Sequence, residues 1–292
     1  MDNNMSDILL SGFTDEIAPE LDTQLMVAGK LGLSHLEIRG VDGRNIAEYN
    51  AETEGAALLT RLAKQGFQVS SIGSPVGKIG IGDDFEPHFE AYKNVVALAK
   101  VLGTRYIRMF SFFIPEGDDP VAHRDTVLYR LEQLLNYAVK EDVILLHENE
   151  KDIYGDIAPR CRDLLQHFAS PNFRAVFDFA NFVQCGQDTA EAYDLLRPYV
   201  DYIHIKDALS STGQVVPAGM GDGQVAVLLD KFKASGYKGF LSLEPHLTDF
   251  AGFAALENAE GSGEKKPETD GSYAFAIALN ALKSLLWDLN WR

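Results

Sequence analysis

The feature that most restricts the fold of this chain is a repeated unit, in which one short apolar segment precedes one longer amphipathic segment. The apolar segments are spaced by 27 to 38 residues and begin near Ile8, His35, Gln68, Tyr106, Val143, Phe173, Asp201 and Gly239. This alternation is typical of βα units around a parallel sheet. An eight-unit barrel of about 250 residues has roughly 31 residues per unit. The observed spacings bracket that value.

The segments between the predicted strands carry apolar residues at helical spacing. They are residues 21–31, 51–65, 86–102, 121–140, 159–168, 189–196, 225–234 and 273–291. Several end at a glycine, which adopts the left-handed conformation of a helix C-cap at little cost. An open doubly wound sheet would normally carry a glycine-rich phosphate turn after its first strand, and residues 11–20 contain none. The sequence therefore predicts an α/β fold, a single (β/α)8 barrel domain over residues 1–292.

Residues 247–271, rich in Glu, Gly, Ser and Lys, interrupt the rhythm between the last strand and the last helix. A connection of this length is unusual in a compact domain. We interpret it as a solvated loop, with a lid as the alternative. Phe250 and Phe253 support the lid alternative, because apolar residues over a barrel mouth can exclude water from a bound ligand.

Composition excludes several classes of protein. The 26 Lys and Arg against 43 Asp and Glu give a net charge of −17, which argues against nucleic-acid binding. Residues 1–7 are polar and acidic rather than signal-like, and no apolar run approaches the length of a membrane span. We therefore expect a cytoplasmic protein without a membrane partner. We expect its only cysteines, Cys161 and Cys185, to be reduced thiols.

Four consecutive predicted strands each end in a side chain that can bind metal: Glu148, Asp178, His204 and Glu244. The carboxyl ends of barrel strands form the face on which active sites are built, so we expect these side chains to converge there. Three carboxylates close together in a partly buried site repel one another, and a divalent cation relieves this. The sequence predicts one divalent metal ion. Mn²⁺ is our first choice, with Mg²⁺, Co²⁺ and Zn²⁺ as alternatives that this ligand set also suits.

The chain resembles the sugar phosphate isomerase/epimerase superfamily of xylose isomerase-like TIM barrels. The motifs that carry the resemblance are His147-Glu148-Asn149-Glu150, Phe177-Asp178-Phe179-Ala180-Asn181, Ile203-His204-Ile205-Lys206-Asp207 and Leu243-Glu244-Pro245-His246. The resemblance implies that the four residues above are the metal ligands and that Glu148 and Glu244 are also the acid/base pair. It further implies a homodimer or homotetramer, although no interface is evident in the sequence.

Other side chains are expected around this site. Because alternate residues of a strand share a face, we expect Glu150, Lys206 and His246 to contact substrate. An ion pair with Asp207 is the alternative for Lys206, and an exposed acidic run is the alternative for Glu150. Glu37, Arg39 and Arg108 lie at the right level to reach a ligand, or to form buried ion pairs. His147 alternates with Glu148 and is expected to face the helices.

Two further observations concern the substrate. Asn181, a predicted substrate contact, stands where related ketose 3-epimerases carry a histidine, so their specificity does not transfer directly. Residues 217–223 contain three glycines where many barrels bind phosphate, but glycines also serve tight turns. With a net charge of −17, we expect a neutral or weakly charged polyol rather than a doubly phosphorylated substrate.

The first functional hypothesis is a metal-dependent sugar isomerase or epimerase, which moves a proton beside a carbonyl through a metal-stabilised enediolate. The alternative is a dehydratase of an inosose or a 3-dehydroshikimate-like substrate, in which the same intermediate expels a hydroxyl. A non-catalytic sugar-binding protein would not need both acid/base glutamates. A type IV apurinic endonuclease would need more histidines than the seven present.

Overall fold

A barrel of eight parallel strands forms the centre of the protein. The computed structural model describes residues 8–248 and 270–291. The barrel strands are β1 (Leu9–Gly12), β2 (His35–Ile38), β3 (Gln68–Gly73), β4 (Tyr106–Met109), β5 (Ile144–Glu148), β6 (Phe173–Asp178), β7 (Val200–Ile205) and β8 (Phe240–Leu243). The ladder order is β1-β8-β7-β6-β5-β4-β3-β2, and all of its pairs are parallel. The predicted (β/α)8 barrel is confirmed, nearly closed where β1 and β2 lie side by side.

Helices surround the barrel. They are α1 (Leu21–Lys30), α2 (Gly55–Lys64), α3 (Phe85–Leu102), α4 (Arg124–Glu141), α5 (Ala158–Phe168), α6 (Phe179–Gln184), α7 (Thr189–Leu196), α8 (Val225–Ala234) and α9 (Gly271–Asp288). α3 shows why such segments are helical: Asp84 caps its first turn by accepting from the Glu86 N–H, and Gly103 ends it in the left-handed conformation. α6 was not predicted, because six residues are too few to show a helical period.

The barrel interior beneath the strand ends is filled by a layer of buried side chains. Leu146, Val176 and Tyr202 are each at most 1% exposed and form one cluster. Each lies two positions before one of the predicted metal ligands, so it shares that ligand's face of its strand. Ser242 occupies the equivalent position before Glu244 and is fully buried. The predicted site therefore lies directly above a packed layer.

Three other expectations concern membrane helices, the cysteines and residues 247–271. No described helix combines the length and the apolar character that crossing a bilayer requires. Cys161 and Cys185 are both free thiols. Most of the segment interpreted as a loop or lid, including Phe250 and Phe253, lies outside the described residues.

Candidate metal centre

The four predicted metal ligands come together at the carboxyl ends of β5 to β8. Glu148 and Asp178 end β5 and β6, His204 lies near the end of β7, and Glu244 directly follows β8. One ligand atom from each lies within 4.8 Å of the corresponding atom of every other. All four residues are at most 3% exposed. A buried cluster of three carboxylates and one imidazole of this size could bind a metal ion.

The two carboxylate oxygens of Asp178 face different surroundings. Oδ1 accepts the backbone N–H of Asn181 at 2.8 Å, and so caps α6 at its N-terminus. Oδ2 is buried without a hydrogen-bond partner, although Lys206 Nζ lies 3.1 Å away. Burial raises the pKa of Asp178 to about 7, even though Lys206 opposes the rise. An unsatisfied buried carboxylate oxygen fits a cation ligand, so the residues present suit a divalent ion.

The two glutamates at the site are held ionised by the charges around them. Burial alone would raise the pKa of Glu148, but the positive charges of His204 and Arg108 outweigh it and lower that pKa. Burial also opposes ionisation of Glu244, whose pKa nevertheless lies well below its ordinary value because Lys206 Nζ is 2.9 Å away. Both carboxylates are therefore available as proton acceptors near neutral pH.

Arg39 and Arg108 line the side of the site nearest β1. The Arg39 guanidinium contacts Asp15 at 2.8 Å, Glu16 at 3.2 Å and Glu244 at 3.2 Å. Arg108 lies 3.2 Å from Glu148, and both guanidinium carbons lie over the Phe13 ring, at 4.3 and 5.0 Å. The two arginines thus form buried ion pairs with the glutamates, which was the alternative to direct substrate contact.

A second group of ligand-type side chains shares Glu244 with the first. Glu16, Glu244 and His246 also bring one atom each within 4.8 Å of one another. Here, however, the Arg39 guanidinium already contacts both carboxylates. Burial raises the pKa of Glu16 to about 8, which favours its neutral form. Arg39 therefore supplies the positive charge at this second group, and a metal ion is not needed there.

The structure places three of the predicted substrate contacts beside the cluster. Lys206 Nζ lies between Asp178 and Glu244, rather than pairing with Asp207. His246 Nε2 lies 3.3 Å from Glu244, and its backbone is held at φ +46° while its N–H donates to Glu16. The Asn181 amide donates to Glu148 Oε1 at 3.3 Å.

The other predicted contacts lie farther from the centre of the cluster. Glu150 is paired with Lys78 at 3.1 Å. Glu37 is fully buried one layer below Arg39, where its Oε2 accepts from His204 and Ser242. Sequence reasoning missed the roles of Asp15, Glu16 and Lys78. A signal existed for the first two, because polar residues 14–16 follow the first strand after a single intervening residue, Phe13.

The glycine loop after β7 contains an anion from the protein itself. The backbone N–H groups of Gly219, Gly221 and Gly223 all donate to the Asp207 carboxylate, each at 2.9 Å. A Cβ on Gly221 would lie 2.5 Å from Asp207 Oδ1, so glycine is required for this close approach. The loop is therefore a tight turn around Asp207, and a substrate phosphate would find its N–H groups already used.

The chain is similar to known proteins in both sequence and structure. Residues 26–265 match the family model described as xylose isomerase-like TIM barrel. A 3-dehydroshikimate dehydratase of Bacillus anthracis is 23% identical over 180 residues, which are 62% of this chain and 64% of that protein. A 2-epi-5-epi-valiolone 7-phosphate 2-epimerase of Actinoplanes sp. is 38% identical over 77 residues, 26% of this chain and 28% of that one. The chain thus spans less than two thirds of either enzyme.

Solved structures share the fold. A structure of L-ribulose 3-epimerase has a TM-score of 0.77 at 18% identity, covering 98% of this chain and 96% of that one. The IolI protein with a bound zinc atom has a TM-score of 0.75 at 14% identity, covering 98% and 99%. At these identities the likeness concerns the barrel alone.

Proposed function

This chain belongs to the xylose isomerase-like TIM barrel family, and from that premise we propose that it is a divalent-metal-dependent sugar isomerase or epimerase that transfers a proton beside a carbonyl. The observation that carries the proposal is the pair of buried, ionised glutamates. Glu148 Oε1 and Glu244 Oε2 both lie near the same imidazole nitrogen, 2.9 and 3.4 Å from His204 Nδ1. Two ionised carboxylates this close together suit removal and return of a proton.

Each residue then has a chemical task. One glutamate removes the proton from the carbon beside the carbonyl and, now protonated, can return it to the neighbouring carbon. Delivery to the opposite face needs the other glutamate to take up a proton from solvent first. Arg108 and Arg39 hold the two carboxylates in place through their ion pairs. Lys206 Nζ can donate to a substrate oxygen. Glu148, Asp178, His204 and Glu244 would hold the cation, which supplies positive charge for the oxygens on which negative charge develops.

The charges at the mouth favour an uncharged sugar or polyol as substrate. Among the described residues, four buried or nearly buried Lys and Arg side chains lie at or near the site, and each is already paired with a carboxylate: Arg39, Arg108, Lys206 and Lys78. A substrate carboxylate or phosphate would have to displace one of these pairs, at a cost in desolvation and lost contacts. Asp207 fills the glycine loop in the same way.

A dehydratase acting on an inosose or a 3-dehydroshikimate-like substrate is the second candidate. The observation in its favour is the 23% sequence identity to the Bacillus anthracis 3-dehydroshikimate dehydratase over 180 residues. The first chemical step is common to both candidates, since each begins with removal of a proton beside a carbonyl. They differ only in whether the intermediate is reprotonated or expels a hydroxyl.

Proton exchange in D₂O separates these functions. Protein supplied with Mn²⁺ is incubated with a panel of ketoses, inososes and 3-dehydroshikimate, and deuterium beside the carbonyl is followed by NMR. Isomerase or epimerase activity is expected to incorporate deuterium without loss of water, and preferentially with an uncharged member. Incorporation followed by dehydration would identify a lyase. Absence of exchange in every member, with Mn²⁺ bound, would contradict the proton-transfer chemistry and favour a binding protein.

A further inference from the structure

Glu37 is a buried carboxylate below the metal centre to which the proposed proton transfer assigns no task. It lies on β2 and is fully buried, so a substrate at the barrel mouth does not reach it. Its Oε2 accepts two hydrogen bonds, from His204 Nε2 at 3.0 Å and from Ser242 Oγ at 2.7 Å. Its Oε1 is buried without a hydrogen-bond partner. A desolvated carboxylate in this place needs an explanation.

The two nitrogens of His204 face in different directions. Nδ1 points into the cluster, 2.9 Å from Glu148, 3.4 Å from Glu244 and 3.9 Å from Asp178. Nε2 points down to Glu37. A histidine that donates one N–H to a carboxylate keeps the other nitrogen free to bind a metal ion.

We propose that Glu37 is a positioning residue, which keeps the proton of His204 on Nε2 and so presents the lone pair of Nδ1 to the divalent cation. This inference rests on the metal centre of the proposed function. A cation at the cluster would take the lone pair of Nδ1, while the hydrogen bond between Nε2 and Glu37 would keep the ring proton on Nε2. Glu37 thereby also raises the basicity of the ligating nitrogen.

Ring orientation and proton position have separate causes in this structure. The His204 ring meets Phe13 edge to face at 5.3 Å and Tyr202 at 5.8 Å, with interplanar angles of 77° and 83°. These aromatic contacts fix the plane of the imidazole but do not distinguish its two nitrogens. The hydrogen bonds distinguish them: Glu37 accepts at Nε2 and Glu148 at Nδ1. Glu148 is itself a proposed metal ligand, so Glu37 is the acceptor that is left for the ring proton when a cation occupies the cluster.

Ser242 orients Glu37 from β8. Its hydroxyl donates to the same Oε2 that accepts from His204. In the β8–β7 ladder Ser242 is the register partner of His204, so the two donors are neighbours on adjacent strands. The carboxylate is therefore held by two strands other than its own, and its geometry does not depend on a mobile side chain.

The test compares Mn²⁺ affinity, measured by titration calorimetry without substrate, in the wild type, Glu37→Gln and Ser70→Ala. Glu37→Gln keeps the side-chain shape but loses the charge, and its amide can donate as well as accept. We expect its Mn²⁺ affinity to fall about 10–100-fold. Ser70→Ala removes buried hydrogen bonds to Ser11 and Tyr202 without touching His204. It controls for general damage to the barrel interior, and its affinity should stay within about twofold of the wild type.

A second readout reports the proton directly. Long-range ¹H–¹⁵N NMR of the Zn²⁺-bound wild type should show His204 protonated at Nε2 and metal-bound at Nδ1. Affinity within twofold of the wild type in Glu37→Gln, or binding through Nε2, would overturn the role of Glu37. Failure of the wild type to bind Mn²⁺ or Zn²⁺ would instead overturn the metal centre itself. Substrate turnover enters neither measurement, so a wrong choice of reaction leaves the result on Glu37 unaffected.

Discussion

At the scale of single residues, the site is defined by how each carboxylate is partnered. Glu148 and Glu244 are held by arginine and lysine, Asp178 by a helix cap on one oxygen and Lys206 near the other, and Glu37 by a histidine and a serine. Four acids within one buried region thus have four different environments. In the proposed assignment, these environments rather than residue type distinguish the two acid/base ligands from the ligand Asp178 and from the positioning residue Glu37.

Glu148→Gln tests the acid/base assignment. Gln has nearly the same shape, so we expect the barrel to stay folded while proton exchange falls about 10²–10⁴-fold at saturating Mn²⁺. Exchange is followed by NMR and folding by circular dichroism. Glu132→Gln, an exposed position on α4, serves as the matched control and should exchange at the wild-type rate. An active Glu148→Gln protein would contradict the assignment.

His88 predicts how stability depends on pH. Its Nε2 accepts the Gly77 N–H at 2.8 Å, and burial, reinforced by the charge of Arg130, lowers its pKa to about 4. The ordinary value is 6.5. Between those values the unfolded chain binds a proton that the folded protein does not, so stability should fall as the pH falls from about 6.5 to about 4.

Melting temperatures at about pH 7 and about pH 5 in the wild type and in His88→Gln measure this contribution. Gln can accept the same N–H but does not titrate, so the variant should lose less stability on acidification. The other histidines are common to both proteins and cancel in the comparison. An equal loss in the two proteins would show that His88 does not contribute.

The sequence predicted some residues of the site and missed others for physical reasons. Glu148, Asp178, His204 and Glu244 interrupt apolar strands at one level of the barrel, so their convergence follows from the fold. The network of Arg39 with Asp15 and Glu16 joins β1 to β2, and nothing in the sequence states which cation pairs with which acid. Glu37 and Arg39 are two residues apart, so they share one face of the barrel wall. Only the structure shows that Glu37 lies one layer deeper.

At the scale of elements, the loop after β3 is held tightly against the end of β4. Gly77 has φ +88°, and a Cβ there would lie 2.0 Å from the carbonyl oxygen of Phe110. Two backbone hydrogen bonds join this loop to the residues after β4. The Phe110 N–H donates to the Val76 carbonyl oxygen at 2.8 Å, and the Phe112 N–H donates to the Gly77 carbonyl oxygen at 3.1 Å. Lys78, the partner of Glu150, is thereby fixed at the mouth of the barrel.

Gly77→Ala should therefore destabilise the protein far more than Gly103→Ala. Both glycines have positive φ, but a Cβ on Gly103 would have nothing within 4 Å. We expect a cost of about 1–2 kcal/mol at Gly103, from the left-handed backbone alone. At Gly77 the backbone clash adds to that cost. Urea denaturation of the two variants measures the difference, and equal costs would contradict the close packing of this loop.

Elements with a clear period were predictable, and the six-residue helix α6 was not. The eight strands begin within one residue of their predicted starts. Helix ends were less certain: the predicted helix at 121–140 begins as a 3₁₀ turn, Pro120–His123, before α4. α6 follows β6 directly because Asp178 turns from strand residue to helix cap. That double role depends on tertiary contacts.

At the scale of the whole molecule, the proposed metal centre joins side chains from four consecutive strands, so metal binding should be coupled to global stability. We expect saturating Mn²⁺ to raise the melting temperature, with about 2.7 kcal/mol of stabilisation at a hundredfold excess over Kd, and a chelator to reverse the effect. Differential scanning calorimetry measures both.

Asp178→Asn is the matched control for this stabilisation. Asn caps a helix as well as Asp does, so α6 should be kept. The variant loses the negative charge that faces Lys206 and the proposed cation. Its melting temperature should respond weakly to Mn²⁺. A response equal to that of the wild type would show that the ion binds elsewhere.

The Asp207 carboxylate inside the glycine loop bears on how substrate preference can change during evolution. Asp207 accepts the N–H groups of Ala208, Gly219, Gly221 and Gly223. Replacement of this one side chain by a smaller, neutral one would leave four converging donors without an acceptor, which is the beginning of a phosphate socket. Phosphorylated and unphosphorylated substrates are thus separated, in such a barrel, by very few mutational steps.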